Sequence, residues 1–252
     1  MKKVVLYVWA LLVILSAPIL KSQTSSDVKI GTQVWMTKNL DVSTFRNGEA
    51  ITQAKDEAQW LYASENKIPA WCYYEFNENN GKKYGKLYNW YAVNDSRGLA
   101  PKGYHVPLVA EWRTLVNFLG GSVAAGKKMK SKDGWNSYKE GGKKTCPNCE
   151  DWSQSYRDKV PCNTCKDNRY IKVPEVTLSG NGDNSSGFNG LPGPRCEYSG
   201  HFNSTGEIGV WWSSEESSGG YAWYTYLHYK YNEVSSENKR KGHGFSVRCI
   251  KD

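Results

Sequence analysis

Four cysteines carry the most specific chemical signal in this chain. Cys146-Pro-Asn-Cys149 and Cys162-Asn-Thr-Cys165 are two C-x2-C knuckles separated by twelve residues. Each knuckle can place two sulfurs on one ion, and two knuckles complete a tetrahedral four-sulfur site. Zinc suits soft thiolates, brings no redox chemistry and can clamp a loop that has no core of its own. With four protein ligands no coordination position stays open, so such a site is structural. The competing reading is two disulfides, because export exposes thiols to oxidation. A bond within one C-x2-C is strained and normally redox-active, and pairing between the knuckles is the other arrangement. Two matching motifs in one loop favour a clamp over a redox centre.

Cys72, Cys196 and Cys249 remain. Three is odd, so at least one is free or pairs between chains. Cys249 falls in a terminal strand and Cys72 near an early one, so a closing disulfide between them is one reading. A buried free thiol is the other.

Other chemistry is thin. His105, His201, His228 and His243 form no H-E-x-x-H or similar spacing. His105 precedes a helix among apolar residues and reads as structural. There is no G-x-S-x-G elbow, no P-loop and no G-x-G-x-x-G in a βαβ setting. Glu215 and Glu216 are adjacent, and strand neighbours point to opposite faces, so they make a poor acid/base pair. Asn181, Asp183 and Asn184 match no EF-hand spacing and read as a turn. The chain holds 11 Trp, 17 Tyr and 6 Phe. Exposed Trp and Tyr are platforms for sugar rings and protein hot spots, whereas strand aromatics are more often core. The binding candidates are Trp135 and Trp152 in the irregular middle of the chain, and Trp211 beyond it.

These residues need elements to hold them. The aromatic and glycine content favours short strands joined by many turns over a helical bundle, a coiled coil or a disordered chain. Val28 to Leu40 reads as a hairpin turning at Gly31-Thr32. Ala54 to Ala63 has helical spacing, with Thr52 as its cap. Ile68 to Tyr74 is a strand candidate, and the aromatic run Tyr84 to Val93 belongs in the core. Pro107 to Leu119 is the clearest helix, stopped by Gly120-Gly121 but lacking a polar cap at Leu108. Regular patterning fades from Lys127 to Gly209. Strands return at Val210 to Ser213, at Tyr221 to Tyr231, and at a last alternation of Phe245, Val247 and Cys249. Strands, two helices, a long irregular region and terminal strands make an α+β arrangement. A loop region this long needs a clamp.

Residues 1–22 read as a secretory signal peptide: Lys2 and Lys3, then the apolar run Val4 to Leu20, then Lys21-Ser22. Residues 23–252 then form one domain, with a Cys-rich insertion over about residues 140–172. No other segment is long and apolar enough to span a bilayer. The formal charge of +8 becomes 30 basic against 25 acidic residues without the leader. That modest, scattered excess argues against a nucleic-acid partner. The expected location is outside the cytoplasm: periplasm, outer surface or secreted.

Six ordered runs carry a family resemblance: VWMTKNLD (Val34 to Asp41), WCYYEFNENNGKKYGKLYNWYAV (Trp71 to Val93), GLAPKGYHVPLVAEW (Gly98 to Trp112), SSGFNGLPG (Ser185 to Gly193), WWSSE (Trp211 to Glu215) and GFSVRCIKD (Gly244 to Asp252). They resemble the Fibrobacter succinogenes major paralogous domain, a family of exported proteins of Fibrobacter and Bacteroidota. Leu108 departs from the Ser or Thr usual after that Pro. The family is similar in pattern to C-type-lectin-like folds, including the formylglycine-generating oxidases. The resemblance implies a twisted antiparallel sheet, two flanking helices, adjacent termini and a long loop region carrying the four-Cys insertion. The oxidases use two Cys five positions apart near this end; here Cys249 is present but the partner position is Gly244. The calcium-sugar motifs of true C-type lectins are absent, and fold analogy alone does not transfer function. The expectation is a non-catalytic exported module binding a surface glycan or protein, with a zinc clamp at Cys146, Cys149, Cys162 and Cys165. The competing expectations are an enzyme using Cys249 and Cys196, or a structural part of a surface assembly.

Overall fold

A computed structural model describes residues 26–149, 162–166, 170–203 and 205–252. The expected signal peptide and Trp152 lie outside the described residues. No helix among the described residues is long and apolar enough to cross a membrane.

The chain opens as the expected hairpin. Strands β1 (Asp27–Ile30) and β2 (Gln33–Met36) pair antiparallel, with Ile30 opposite Gln33. Gly31 turns between them at φ +62°, where a side chain would strike the Phe118 ring. Next come β3 (Thr52–Gln53), helix α1 (Glu57–Glu65), β4 (Ala70–Cys72), the one-turn α2 (Gly81–Tyr84), β5 (Leu87–Tyr88) and the one-turn α3 (Trp90–Val93). Asp56, not Thr52, caps α1 by accepting from the Gln59 backbone N–H at 2.8 Å. Thr52 instead sits in β3, parallel to β4.

Strand β6 (Tyr104–His105) leads into α4 (Val109–Phe118) and α5 (Ser122–Met129). α4 buries Trp112 and Leu115. Its missing polar cap is supplied from elsewhere. The Glu111 carboxylate accepts from the Leu108 N–H at 2.8 Å, and Glu215 accepts from the Val109 N–H. A carboxylate at this end also suits the helix dipole.

Two long strands follow where regularity seemed lost: β7 (Ser137–Thr145) and β8 (Tyr170–Ser179). They form a separate antiparallel ribbon. The rest of the chain supplies the small pair β9 (Arg195–Cys196) and β10 (Phe202–Asn203), the sheet of β11 (Ile208–Ser218), β12 (Tyr221–His228) and β13 (Val234–Arg240), and β14 (Ile250–Lys251).

The result is mixed helix and sheet, as expected, with the strands spread over several small sheets. The described strands fall into five small sheets, one of which contains a parallel pair. The C-terminal segment joins four of them. Gly244 bridges to Cys196 of β9, Phe245 to Tyr88 of β5, and Ser246 to Trp211 of β11. Ile250 pairs with both Trp35 of β2 and His105 of β6. This segment does not alternate inside and out. Residues from Gly242 to Ile250 are all buried, because sheets lie on every side of them. The terminal strands meet as expected, in one sheet ordered β1-β2-β14-β6.

Arg248 is the polar pin of this seam. It is 1% exposed, and none of its hydrogen-bond partners among the described residues is a carboxylate. Its guanidinium donates to Asn39 Oδ1 at 2.7 Å, the Met36 carbonyl at 3.2 Å and the Phe188 carbonyl at 2.5 Å. It also lies 4.5 Å from the Phe188 ring centroid. Burial lowers its pKa to about 9, and three acceptors from distant segments replace the water that a buried cation loses.

Candidate metal centre

The β7–β8 ribbon leaves the body beside Asn136 and Gly180, whose backbones hydrogen-bond at 3.1 Å. None of the residues of β8 is buried. Near its base Tyr138 meets Tyr229 edge-on, with ring centroids 6.0 Å apart. Gly141 makes a bulge at φ +115°, and any Cβ there would lie 2.3 Å from the Pro174 carbonyl.

At the far end the chain folds into the two knuckles. Cys146, Cys149, Cys162 and Cys165 are all buried, and their sulfurs lie within 4.8 Å of one another. Cys146 and Cys162 are 3.7 Å apart, Cys149 and Cys165 3.6 Å. A tetrahedron with metal–sulfur bonds near 2.3 Å has edges of about 3.8 Å. The spacing therefore fits one central soft cation. The four sulfurs are not placed as disulfides, whose sulfurs lie about 2 Å apart. The intervening residues reinforce the arrangement. Cys149 N–H donates to the Cys146 carbonyl at 2.9 Å, and Asn148 donates to Thr164 Oγ1 at 2.8 Å, joining one knuckle to the other. Among the described residues, Ile171 is the hydrophobic side chain that packs against the four sulfurs.

Cys146, Cys149 and Cys162 are electrostatically unequal. Backbone N–H groups, that of Cys165 first, and the Cys149 thiol lower Cys162 to about 6. Contact with Cys162 and then burial push Cys149 well above the ordinary thiol range. Burial also raises Cys146. One thiolate is welcome and the next is resisted, as expected where sulfurs crowd around a place suited to a divalent cation.

The sequence also nominated residues that the structure disposes elsewhere. Trp135 and Trp211 are 5% and 1% exposed, so neither offers a face to a sugar. Trp135 donates to Ser131 Oγ and the Gly190 carbonyl, and Trp211 donates to Asn39 Oδ1. Among the described tryptophans only Trp223 is not buried. The aromatic excess is therefore mostly core.

The Cys72–Cys249 pairing is replaced as well. Cys249 belongs to the main apolar cluster, with Trp212, Phe245 and Val247. Cys72 sits in a different cluster, with Cys196. Cys249 and Cys196 likewise do not share a site. Gly244 has a direct steric reason: a Cβ there would lie 2.8 Å from Trp60 and 2.9 Å from the Cys196 Cβ. Glu215 caps α4 while Glu216 pairs with Lys241 at 2.7 Å, so these neighbours work on separate tasks.

Sequence reasoning missed three buried cations among the described residues, Arg248, Lys130 and Lys86. Lys130 is 1% exposed and donates to the Tyr231 carbonyl at 2.7 Å. The signal for Arg248 was its place inside the apolar run FSVRCI. Also missed was an apolar cleft of about 380 Å³ between α1 and β3, lined by Thr52, Gln53, Ala58, Gln59 and the exposed ring of Tyr62.

The fold and the tip define a mixed helix–sheet domain bearing, on a ribbon, a cluster of four thiols at a spacing compatible with a metal ion. The chain belongs to the Fibrobacter succinogenes major domain family, whose sequence model matches residues 28–251. No curated protein and no solved structure matches it significantly.

Proposed function

We propose that this protein is an exported, non-catalytic module of C-type-lectin-like architecture that binds a cell-surface glycan or protein. In this reading Cys146, Cys149, Cys162 and Cys165 hold a structural zinc ion. The observation that carries it is the place of the four-sulfur cluster, at the end of a solvent-bathed ribbon and outside the body's core. A two-stranded ribbon is marginal alone. A metal at its tip stiffens a projection that adds little to the body's burial, and a stiff projection loses less entropy on meeting a partner. Zinc rather than a harder cation follows from four thiolate donors.

Cys249 supports the non-catalytic part. It is fully buried, and desolvation pushes its thiol up to about 12. A neutral, sealed thiol is neither nucleophile nor metal ligand.

The test begins with metal analysis of full-length protein purified without added metal. About one zinc per chain supports the clamp; no zinc with all four thiols oxidised overturns it. Glycan-array and envelope pull-down assays then compare wild type with Cys162→Ser. A ligand captured by wild type and lost in the variant supports the ribbon as the recognition element. Blank results in both assays overturn the binding role. Cell fractionation with N-terminal sequencing tests export, and full-length protein in the cytoplasm would refute it.

A further inference from the structure

Seven thiols divide unequally in space. Four meet at the ribbon tip and Cys249 is enclosed in the main cluster. Cys72 and Cys196 remain, and both have no solvent exposure within one small cluster that also contains Trp60, Ala63 and Leu87. They come from far-apart points of the chain, Cys72 from β4 and Cys196 from β9. Burial first, and then the neighbouring Cys72 thiol, raise the pKa of the Cys196 thiol. Gly244 packs close to this pair's surroundings: a Cβ there would lie 2.9 Å from the Cys196 Cβ and 2.8 Å from Trp60.

The β9–β10 hairpin needs an anchor. It is only two residue pairs long, too short to persist alone. Its ties to the body include the Cys196–Gly244 bridge and the buried His243, whose Nε2 meets Glu197 Oε2 at 2.8 Å. A covalent bond from β9 to β4 would fix it to the sheet behind α1.

We propose that Cys72 and Cys196 are a disulfide-forming pair that staples the β9–β10 hairpin to β4, distinct from the metal-binding thiols. The oxidant is a disulfide of the glutathione or thiol-oxidase class. One cysteine thiolate attacks it, forming a mixed disulfide and releasing one reagent thiolate. The second cysteine thiolate attacks the mixed disulfide at the protein sulfur and releases the other. The protein loses two protons and two electrons, and the reagent disulfide becomes two thiols. The oxidant in the cell rests on the export part of the function proposed above; the test supplies its own.

Full-length protein is refolded with oxidised and reduced glutathione in the presence of zinc, then unfolded, alkylated without reduction, digested and mapped by mass spectrometry. The expected product is a cross-linked peptide pair joining Cys72 to Cys196, two hydrogens lighter than the separate thiols, with Cys249 alkylated. Alkylation of both Cys72 and Cys196, or a link from Cys72 to Cys249, overturns the proposal. A second readout needs no variant. Reducing the oxidised, metal-loaded protein is expected to lower its Tm by on the order of 10 °C, because the bond closes a loop of well over a hundred residues. An unchanged Tm also overturns it. The tip thiols are read on different peptides, so failure of the clamp is separable from failure of the staple.

Discussion

Cys162 gives up its proton readily, its pKa lowered to about 6, first by the Cys165 N–H. Replacing it with serine removes a soft donor and leaves three sulfurs. We expect metal content to fall from about one ion per chain to well under half, measured by elemental analysis after dialysis. Two other side chains make opposite pH predictions. His105 bridges Glu111 and Asp252, each at 2.8 Å. Burial pulls its pKa down, but the hydrogen bonds to Asp252 and Glu111 outweigh it and the net shift is upward from 6.5. Its stabilisation is therefore complete below pH 6.5 and is lost as pH rises through the raised value. The site is partly exposed, so the contribution is below about 1 kcal/mol. Thermal melts of wild type and His105→Gln across pH 5.5 to 8.5 are expected to converge at the alkaline end. Lys130 runs the other way. Burial lowers it from 10.5 to about 8, so the fold disfavours its charge and stability rises as pH climbs through that interval. Lys130→Met flattens that rise if the buried ammonium is its cause.

Among the elements, α4 depends on a residue from another strand. Glu215 of β11 accepts from Val109 N–H, where Leu108 has no polar side chain to offer. Glu215→Ala is expected to cost about 1 kcal/mol by chemical denaturation, and Glu215→Gln, which keeps an acceptor oxygen, distinctly less. Equal costs would mean that the charge and not the hydrogen bond does the capping. This dependence marks the limit of sequence reading. The β1–β2 hairpin, α4 and the aromatic strands were legible because each has one face inside, and burial prints a period on the sequence. The ribbon was not legible, since β8 buries neither face, contains Pro174 and opposes a glycine bulge. The C-terminal segment failed for the opposite reason: both faces are inside, so Ser246 and Arg248 are as buried as Phe245 and Val247. The clustering of Cys146, Cys149, Cys162 and Cys165 was legible because C-x2-C spacing is local. The fate of Trp135, Trp211, Cys72 and Cys249 depends on which distant segments meet, and no local spacing records that.

At the scale of the molecule, body and ribbon tip are held by different chemistry. Among the described residues the tip cluster consists of four sulfurs with Ile171, and none of these belongs to the three apolar clusters of the body. The body converges on the C-terminal seam, whose tightest point is Gly244 against Trp60 and Cys196. Two perturbations should then act independently. Gly244→Ala forces a methyl into space that is already filled, which typically costs 1–3 kcal/mol, or about 5 °C in Tm for a domain of this size. It should leave metal stoichiometry and affinity unchanged. Chelation should do the reverse, opening the tip to limited proteolysis between Thr145 and Tyr170 while the body's Tm stays within a degree or two. Distant sites without shared partners add to within about 0.5 kcal/mol, so chelating the Gly244→Ala variant should show both effects in full. A body that melts on chelation would mean that the ribbon is part of the domain's core structure, and the separation of a stable body from a metal-stiffened arm would fail.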